Sequence, residues 1–175
     1  MQSRYKSQGK QEKALKLCEE ALEARRKIYQ GDDHSDVAVS MYTMGAILLD
    51  TQSYSKAETL LRDSVALLDK LCGNAEDQTS ASPSQNRTAQ LLLATAKNNL
   101  ALCLKSKGSY EEAEELYREV LNNRANMLGP EHQDTMTSIH NLAELYRAVG
   151  DEQAAHEVQE DLMRAVSAHR ARHSQ

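Results

Sequence analysis

The chain has 175 residues, of which 40% are hydrophobic and 27% are charged, a composition typical of a globular protein rather than a disordered one. Only seven glycines and two prolines are present. An all-β sandwich or barrel needs turn residues about every ten positions, so both folds are excluded. The net charge of −5 argues against a general nucleic-acid binder, which needs a basic face for the phosphates.

Neither a membrane segment nor an export signal is visible. No apolar run approaches the roughly 18 residues that span a bilayer, and residues 1–14 lack the apolar stretch of a secretory signal. Cys18, Cys72 and Cys103 are an odd number without a CxxC pair, which indicates reduced, buried thiols. We therefore expect a cytoplasmic protein without membrane insertion. An organelle interior, reached by way of a targeting segment that is later removed, is the alternative.

The glycine positions predict an internal repeat. Two sets of glycines follow long helical patterns, and glycine just past a helix closes its last turn in the left-handed conformation. Spacings of 42 and 56 residues indicate a unit of two helices with 42 residues, used four times with one insertion of 14 residues. The first set comprises Gly31, Gly73 and Gly129, and the second comprises Gly9, Gly108 and Gly150.

We predict a single domain over residues 1–175, with an inserted loop at 74–87. The loop is rich in Ser, Asn and Gln, contains Pro83, and is expected to be mobile. The repeats span about 1–31, which is partial, then 32–73, 88–129 and 130–171. The predicted helices cover, in chain order, 1–8 and 10–29, 36–51 and 54–71, 88–107 and 110–127, and 134–149 and 151–171.

Two local patterns support these helices. Gly45 lies inside the helix at 36–51, where other repeats have Ala101 and Ala143, and a small residue there lets a neighbouring helix approach closely. Glu114 and Arg118 have the spacing of an ion pair one helical turn apart.

Two loops, GDDHSD and GPEHQD, place a histidine beside carboxylates, which raises the question of a metal site. His34 and His132 are 98 residues apart, in register with the repeat, so we interpret them, with Asp36 and Asp134, as residues that satisfy free N–H groups at helix starts. The chain contains no GxxxxGK[ST], GxGxxG or GxSxG motif. We therefore predict no enzyme, no metal and no cofactor.

The strings NLALCLKSKGSYEEAEELYREVL and NLAELYRAVGDEQAAHEVQEDL resemble tetratricopeptide repeats. The linkers LGPEHQDTMTSIHNLA and YQGDDHSDVAVSMYTMGA resemble the 42-residue, kinesin-light-chain-like variety. This resemblance implies an all-α, right-handed superhelical solenoid that binds other proteins. Gln52 departs from the pattern, because it stands where other repeats have the helix-closing glycine. The first repeat lacks a full first helix, so the chain is either a segment of a longer array or begins with a degenerate cap.

The first helix of each repeat is expected to line the concave face of the solenoid. Two residues before the small position of these helices stand Thr43, Asn99 and Asn141, and the two asparagines are 42 residues apart. The resemblance implies that such an asparagine hydrogen-bonds the main chain of an extended peptide, to which an amide offers both a donor and an acceptor. Further along the same face, Lys105 and Arg147 are again 42 residues apart.

The predicted function is a protein-interaction module that binds an extended segment of a protein partner in its concave groove, as an adaptor or scaffold. With Lys6, which is in phase with them, Lys105 and Arg147 make three cations that favour an acidic or mixed peptide. The first alternative is a structural subunit of a larger complex, which docks through its convex face or ends, and the second is a solvated face that binds nothing specific. A third, an enzyme or the sensor part of one, has no catalytic motif to support it. The candidate peptide-binding residues are Asn99, Asn141, Lys105, Arg147, Asn98, Leu102, His140, Tyr42 and Val39.

Overall fold

The computed structural model describes the backbone of residues 2–77 and 83–173, and the side chains of residues 10–73 and 87–171. All secondary structure in these residues is helical, so the predicted all-α class is confirmed. The seven helices within the described ranges are α1 (Gln2–Tyr29), α2 (Ser35–Asp50), α3 (Tyr54–Asp77), α4 (Pro83–Lys107), α5 (Tyr110–Leu128), α6 (Gln133–Val149) and α7 (Glu152–His173).

The helices form two compact units, an N-terminal unit of Met1–Cys103 and a C-terminal unit of Leu104–Gln175. In the N-terminal unit α1 packs against α2, and α2 packs against α3. In the C-terminal unit α5 packs against α6, and α6 packs against α7. Each unit thus buries the apolar face of one helix against the next helix in the chain.

The histidine loops cap helices, as predicted. The backbone N–H of Asp36 donates to Nδ1 of His34 over 3.1 Å, and that of Asp134 donates to Nδ1 of His132 over the same distance. These bonds satisfy one of the free N–H groups in the first turns of α2 and α6. The recurrence of one motif at two equivalent helix starts identifies it as part of the fold.

Two of the predicted helix ends at glycines are wrong. The backbone of α1 continues through Gly9, and that of α3 continues through Gly73. A glycine within a helix costs about 1 kcal/mol relative to alanine, and good helix formers such as the Lys, Gln and Glu residues after Gly9 offset that cost. Glycine ends a helix only where the chain turns, as at Gly108 and Gly150, whose φ angles are +86° and +84°.

The inserted loop predicted at 74–87 is also shorter than expected. Residues 74–77 belong to α3 and residues 83–87 belong to α4, while residues 78–82 lie outside the described residues. Pro83 is the first residue of α4, where the absent N–H of proline costs nothing because that group has no partner within the helix. The proline therefore marks a helix start rather than a loop interior.

A small residue at position 45 brings α2 and α3 together, as predicted. A Cβ atom built on Gly45 would lie 2.6 Å from Cγ and 2.8 Å from Cδ2 of Leu61, which is fully buried in α3. No side chain fits at that distance without moving Leu61. The close approach of these two helices therefore depends on the missing side chain.

A buried arginine ties the second helix of one repeat to the next helix, an arrangement that we call the arginine clamp. Arg124 of α5 is 6% exposed, and its Nη1 donates to Oγ of Ser138 over 2.9 Å and to the carbonyl of Asp134 over 3.2 Å. Both acceptors lie in the first two turns of α6. Burial lowers the pKa of the Arg124 guanidinium, which nevertheless remains charged at neutral pH. The clamp therefore fixes where α6 begins.

The N-terminal unit repeats the clamp. Arg25 of α1 donates to the carbonyl of Asp36 over 3.2 Å and to the hydroxyl of Ser40, both in α2. At the positions of α3 and α4 in register with Arg124 and Ser138, the chain has Leu68 and Ala96, which belong to one buried apolar cluster. At these positions an apolar residue thus replaces both the arginine and the serine of the clamp.

We predict that Gly45→Ala lowers the free energy of unfolding by about 1–3 kcal/mol, because the new methyl group would overlap Leu61. Gly73→Ala is the matched control, since nothing lies within 4 Å of a Cβ at that helical glycine. It should stabilise by up to about 1 kcal/mol through helix propensity. Urea unfolding followed by circular dichroism measures both. Equal stabilisation by the two substitutions would contradict the close packing of α2 on α3.

We predict that Arg124→Leu lowers the free energy of unfolding by about 1–3 kcal/mol, because buried acceptors lose their donor. Arg164→Leu is the control, since this side chain is 72% exposed and should change stability by about 0.5 kcal/mol or less. Adding Ser138→Ala to Arg124→Leu should recover part of the loss, because it recreates the Leu68 and Ala96 pair. Chemical denaturation measures the free energy of unfolding of each variant. Equal losses of stability from the substitutions at positions 124 and 164 would contradict the clamp.

Candidate functional site

Four of the predicted site residues lie in the C-terminal unit: Lys105, His140, Asn141 and Arg147. Three are on α6, and Lys105 is near the end of α4. His140 is exposed, whereas Asn141, Lys105 and Arg147 are half-buried. The helix places His140, Glu144 and Arg147 on one face, because residues four and three apart are neighbours on a helix surface.

Glu144 is the centre of this group. Nη1 of Arg147 donates to its Oε1 over 2.7 Å. The pKa of Glu144 is lowered, first by this hydrogen bond and then by the positive charge of Arg147, with smaller electrostatic contributions from His140 and Lys105. The carboxylate is therefore ionised at neutral pH, and it interacts with Arg147 on its own helix and with Lys105 on α4.

The site thus carries charges of both signs. Arg147 also lies 3.9 Å from a carboxylate oxygen of Glu152. The 42-residue spacing of Lys105 and Arg147 suggests a row of cations. The structure adds an anion to that row, because both cations interact electrostatically with Glu144. The three-residue spacing of Glu144 and Arg147 on one helix is the sequence pattern that indicates this ion pair.

The other five predicted site residues lie in the N-terminal unit. Val39 and Tyr42 belong to α2, and Asn98, Asn99 and Leu102 belong to α4. Leu102 is 36% exposed, which makes it one of the large apolar side chains open to solvent in the described residues. Asn98 and Asn99 precede it by four and three residues, so that the amides and the leucine share one face of α4.

Val39 and Tyr42 provide an apolar and aromatic edge on α2. Both are half-buried, and Tyr42 packs against the core cluster that includes Met41 and Leu68. Burial raises the pKa of the Tyr42 hydroxyl, which therefore stays protonated and able to donate a hydrogen bond. The carbonyl of Val39 accepts the hydroxyl of Thr43 over 2.7 Å. The ladder predicted for Asn99 and Asn141 joins residues of two different units and stays a prediction.

The predicted ion pair of Glu114 and Arg118 is confirmed at 2.9 Å, and it is part of a larger network. The hydroxyl of Tyr146 donates to Oε1 of Glu114 over 2.7 Å, and Nη2 of Arg118 donates to the same hydroxyl over 2.6 Å. Burial and the bond to Glu114 raise the pKa of Tyr146 to about 12. Like the arginine clamp, this network holds α6 against α5, so that two polar contacts position the helix that carries the site.

Sequence reasoning missed the arginine clamps, although a signal for them existed. Arg25 and Arg124 are 99 residues apart, and Ser40 and Ser138 are 98 apart, which matches the repeat register. An arginine and a serine that recur together at equivalent helix positions indicate a shared contact. Arginine is usually exposed, so the sequence alone does not indicate that Arg124 is buried.

Among the residues that the structure describes, no three His, Cys, Asp or Glu side chains are grouped closely enough to hold a metal ion. Within the same residues, no helix is long and apolar enough to cross a bilayer. The candidate site therefore consists of amide, charged and apolar side chains on first helices.

The family model for the tetratricopeptide repeat matches residues 5–70 and 92–168, well over half of the chain. The crystal structure of BtubC (BKLC) from P. vanneervenii is similar, with a TM-score of 0.70 and 19% identity over 95% of this chain. The present chain spans 60% of the length of that protein, and the likeness shows the fold. No curated protein matches.

Two crystal structures of the nearly identical TPR-like repeats of a putative kinesin light chain from Podosopora anserina, one of them a variant, also match. They have TM-scores of 0.36 and 0.37 and identities of 24% and 22%. The matches cover 97% and 95% of this chain and 92% of each repeat chain. By its repeats, its helix pairs and the family model, this chain belongs to the tetratricopeptide repeat family.

Proposed function

We propose that the chain is an adaptor or scaffold module that binds an extended peptide segment of a partner protein along its first helices. The observation that carries this proposal is the placement of polar groups on α4 and α6, the first helices of their repeats, with amides and charges in repeat register. The family supports protein binding as the general role. Catalysis, nucleic-acid binding and a bound cofactor are not part of the proposed role.

Asn99 and Asn141 are proposed to hold the peptide main chain. Each side-chain amide offers an N–H donor and a carbonyl acceptor, which matches the alternating groups of an extended backbone. Both side chains are half-buried, so that part of their rotamer entropy is lost before the peptide binds. An amide held in place in this way costs less to order than one that is fully exposed.

The charged group around Glu144 is proposed to select the peptide side chains. A peptide carboxylate can pair with Lys105, while Glu144 keeps its bond to Arg147. A basic peptide side chain can use Glu144 instead. The surface therefore suits a peptide of acidic or mixed charge, and its charges affect association rate and specificity more than affinity.

Leu102, Val39 and Tyr42 are proposed to supply apolar contact. Leu102 already exposes more than a third of its surface, and covering a leucine side chain contributes about 1.5–3 kcal/mol when burial is complete.

We place the proposed peptide binding in the cytoplasm, because Cys18, Cys72 and Cys103 form no disulfide with one another.

The proposal predicts that replacing both asparagines weakens peptide binding at least tenfold. Peptides selected from a random display library against the full chain provide the ligand, and fluorescence anisotropy measures affinity for the parent and for Asn99→Leu with Asn141→Leu. Two lost hydrogen bonds of about 0.7–1.4 kcal/mol each correspond together to about 1.4–2.8 kcal/mol, or about 10–100-fold.

Asn126→Leu, at an exposed asparagine of the second helix α5, is the matched control and should bind like the parent chain. Circular dichroism establishes that each variant is folded. The proposal is wrong if the folded double variant binds as tightly as the control, or if no peptide is selected.

A further inference from the structure

A cavity of about 320 Å³ lies in the C-terminal unit where α5, α6 and α7 meet. It is open to solvent on one side and is distinct from the candidate peptide-binding residues, since none of them lines it. Most of its wall is apolar. The main apolar contributors are Leu121, Ile139, Leu142, Val158, Leu162 and Ala165.

The N-terminal unit fills the equivalent space with its own side chains. Residues of α2 and α3 precede their equivalents in α6 and α7 by 98 positions, which pairs Leu67 with Ala165 and Leu60 with Val158. Leu67 is 9% exposed and lies in the buried core cluster, and Leu60 packs against that cluster. Ala165, by contrast, is exposed and has three fewer carbon atoms than leucine.

At the other equivalent positions the side chains differ in shape rather than consistently in size, and Leu162 stands where the N-terminal unit has the buried Ser64. Met41 and Met44 of the N-terminal core correspond to the shorter Ile139 and Leu142. The cavity is lined by Ala165 and Val158, where the N-terminal unit has the larger Leu67 and Leu60. The equivalent core shows what chemistry fits there, namely saturated hydrocarbon.

Three of the four polar side chains that line the cavity already have partners. Arg118 is held by Glu114 at 2.9 Å and donates to Tyr146. Asp161 is paired with Arg164, and the hydroxyl of Thr135 donates to the carbonyl of Gly129 over 2.9 Å. Because both charges at the mouth already have partners of opposite sign, the entrance offers no net charge to a ligand. An uncharged molecule therefore fits this cavity better than an ionic one.

We propose that this cavity binds a small uncharged aliphatic molecule, with a short alkyl chain and at most one hydroxyl group. The volume is about twice that of an engineered apolar cavity of roughly 150 Å³ that holds benzene. It falls at the lower end of the range of about 300–1,000 Å³ found for small-molecule sites. The hydrocarbon occupies the space that Leu67 and its neighbours fill in the N-terminal unit. A hydroxyl group remains at the open side, near the amide of Asn122.

The test uses 1-octanol as the probe and the full chain with carbon-13-labelled methyl groups. Titration should give saturable shifts in the NMR signals of Ile139, Leu142 and Val158, which line the cavity. Ala165→Leu, which restores the residue of the N-terminal unit, should weaken binding at least tenfold and raise the melting temperature. Val158→Leu should act in the same direction and serves as a second variant.

Ala66→Leu is the matched control, because Ala66 is an exposed alanine of α3 in the other unit. It should bind the probe like the parent chain, without a gain in melting temperature. Circular dichroism establishes that each variant is folded. The proposal is overturned if the parent chain shows no saturable shift, or if both cavity-filling variants bind 1-octanol as tightly as Ala66→Leu does.

Discussion

The buried arginine clamp is the contact on which the arrangement of the candidate site depends. A charged side chain is costly to bury, and Arg124 is tolerated because Ser138 and the carbonyl of Asp134 accept its hydrogen bonds. The benefit is geometric. A hydrogen bond fixes distance and direction, whereas apolar packing alone tolerates small shifts along a helix. The first turn of α6 is thereby held in one register against α5, and the charged group around Glu144 follows along the same helix.

Two kinds of helix contact, one polar and one apolar, occur at equivalent positions of this chain. Arg25 with Ser40 and Arg124 with Ser138 use polar clamps, while Leu68 with Ala96 uses hydrocarbon at the equivalent position. A mixed pair would leave a buried polar group unsatisfied, so the two positions must change together. Polar clamps, small residues such as Gly45 and capping histidines thus form the framework. The proposed peptide-binding residues lie on the first helices that this framework holds.

Much of the fold could be predicted from the sequence, because its determinants are local or repeat in register. Helix periodicity, the capping histidines and the close contact at Gly45 all have short-range signatures. The ends predicted at Gly9 and Gly73 failed, because glycine permits a turn without requiring one. The arginine clamps and the partner of Tyr146 depend on tertiary contacts between helices. The cavity beside Ala165 also depends on the packing of three helices, which the sequence pattern alone does not specify.

The central proposal is that the first helices α2, α4 and α6 carry the recognition surface. Photo-crosslinking tests it most directly, with a selected peptide that carries a benzophenone at successive positions and with mass spectrometry to locate the attachment sites. The account predicts attachment to α2, α4 and α6, at or next to Tyr42, Leu102 and Asn141. Attachment concentrated on α1, α3, α5 or α7 would contradict it.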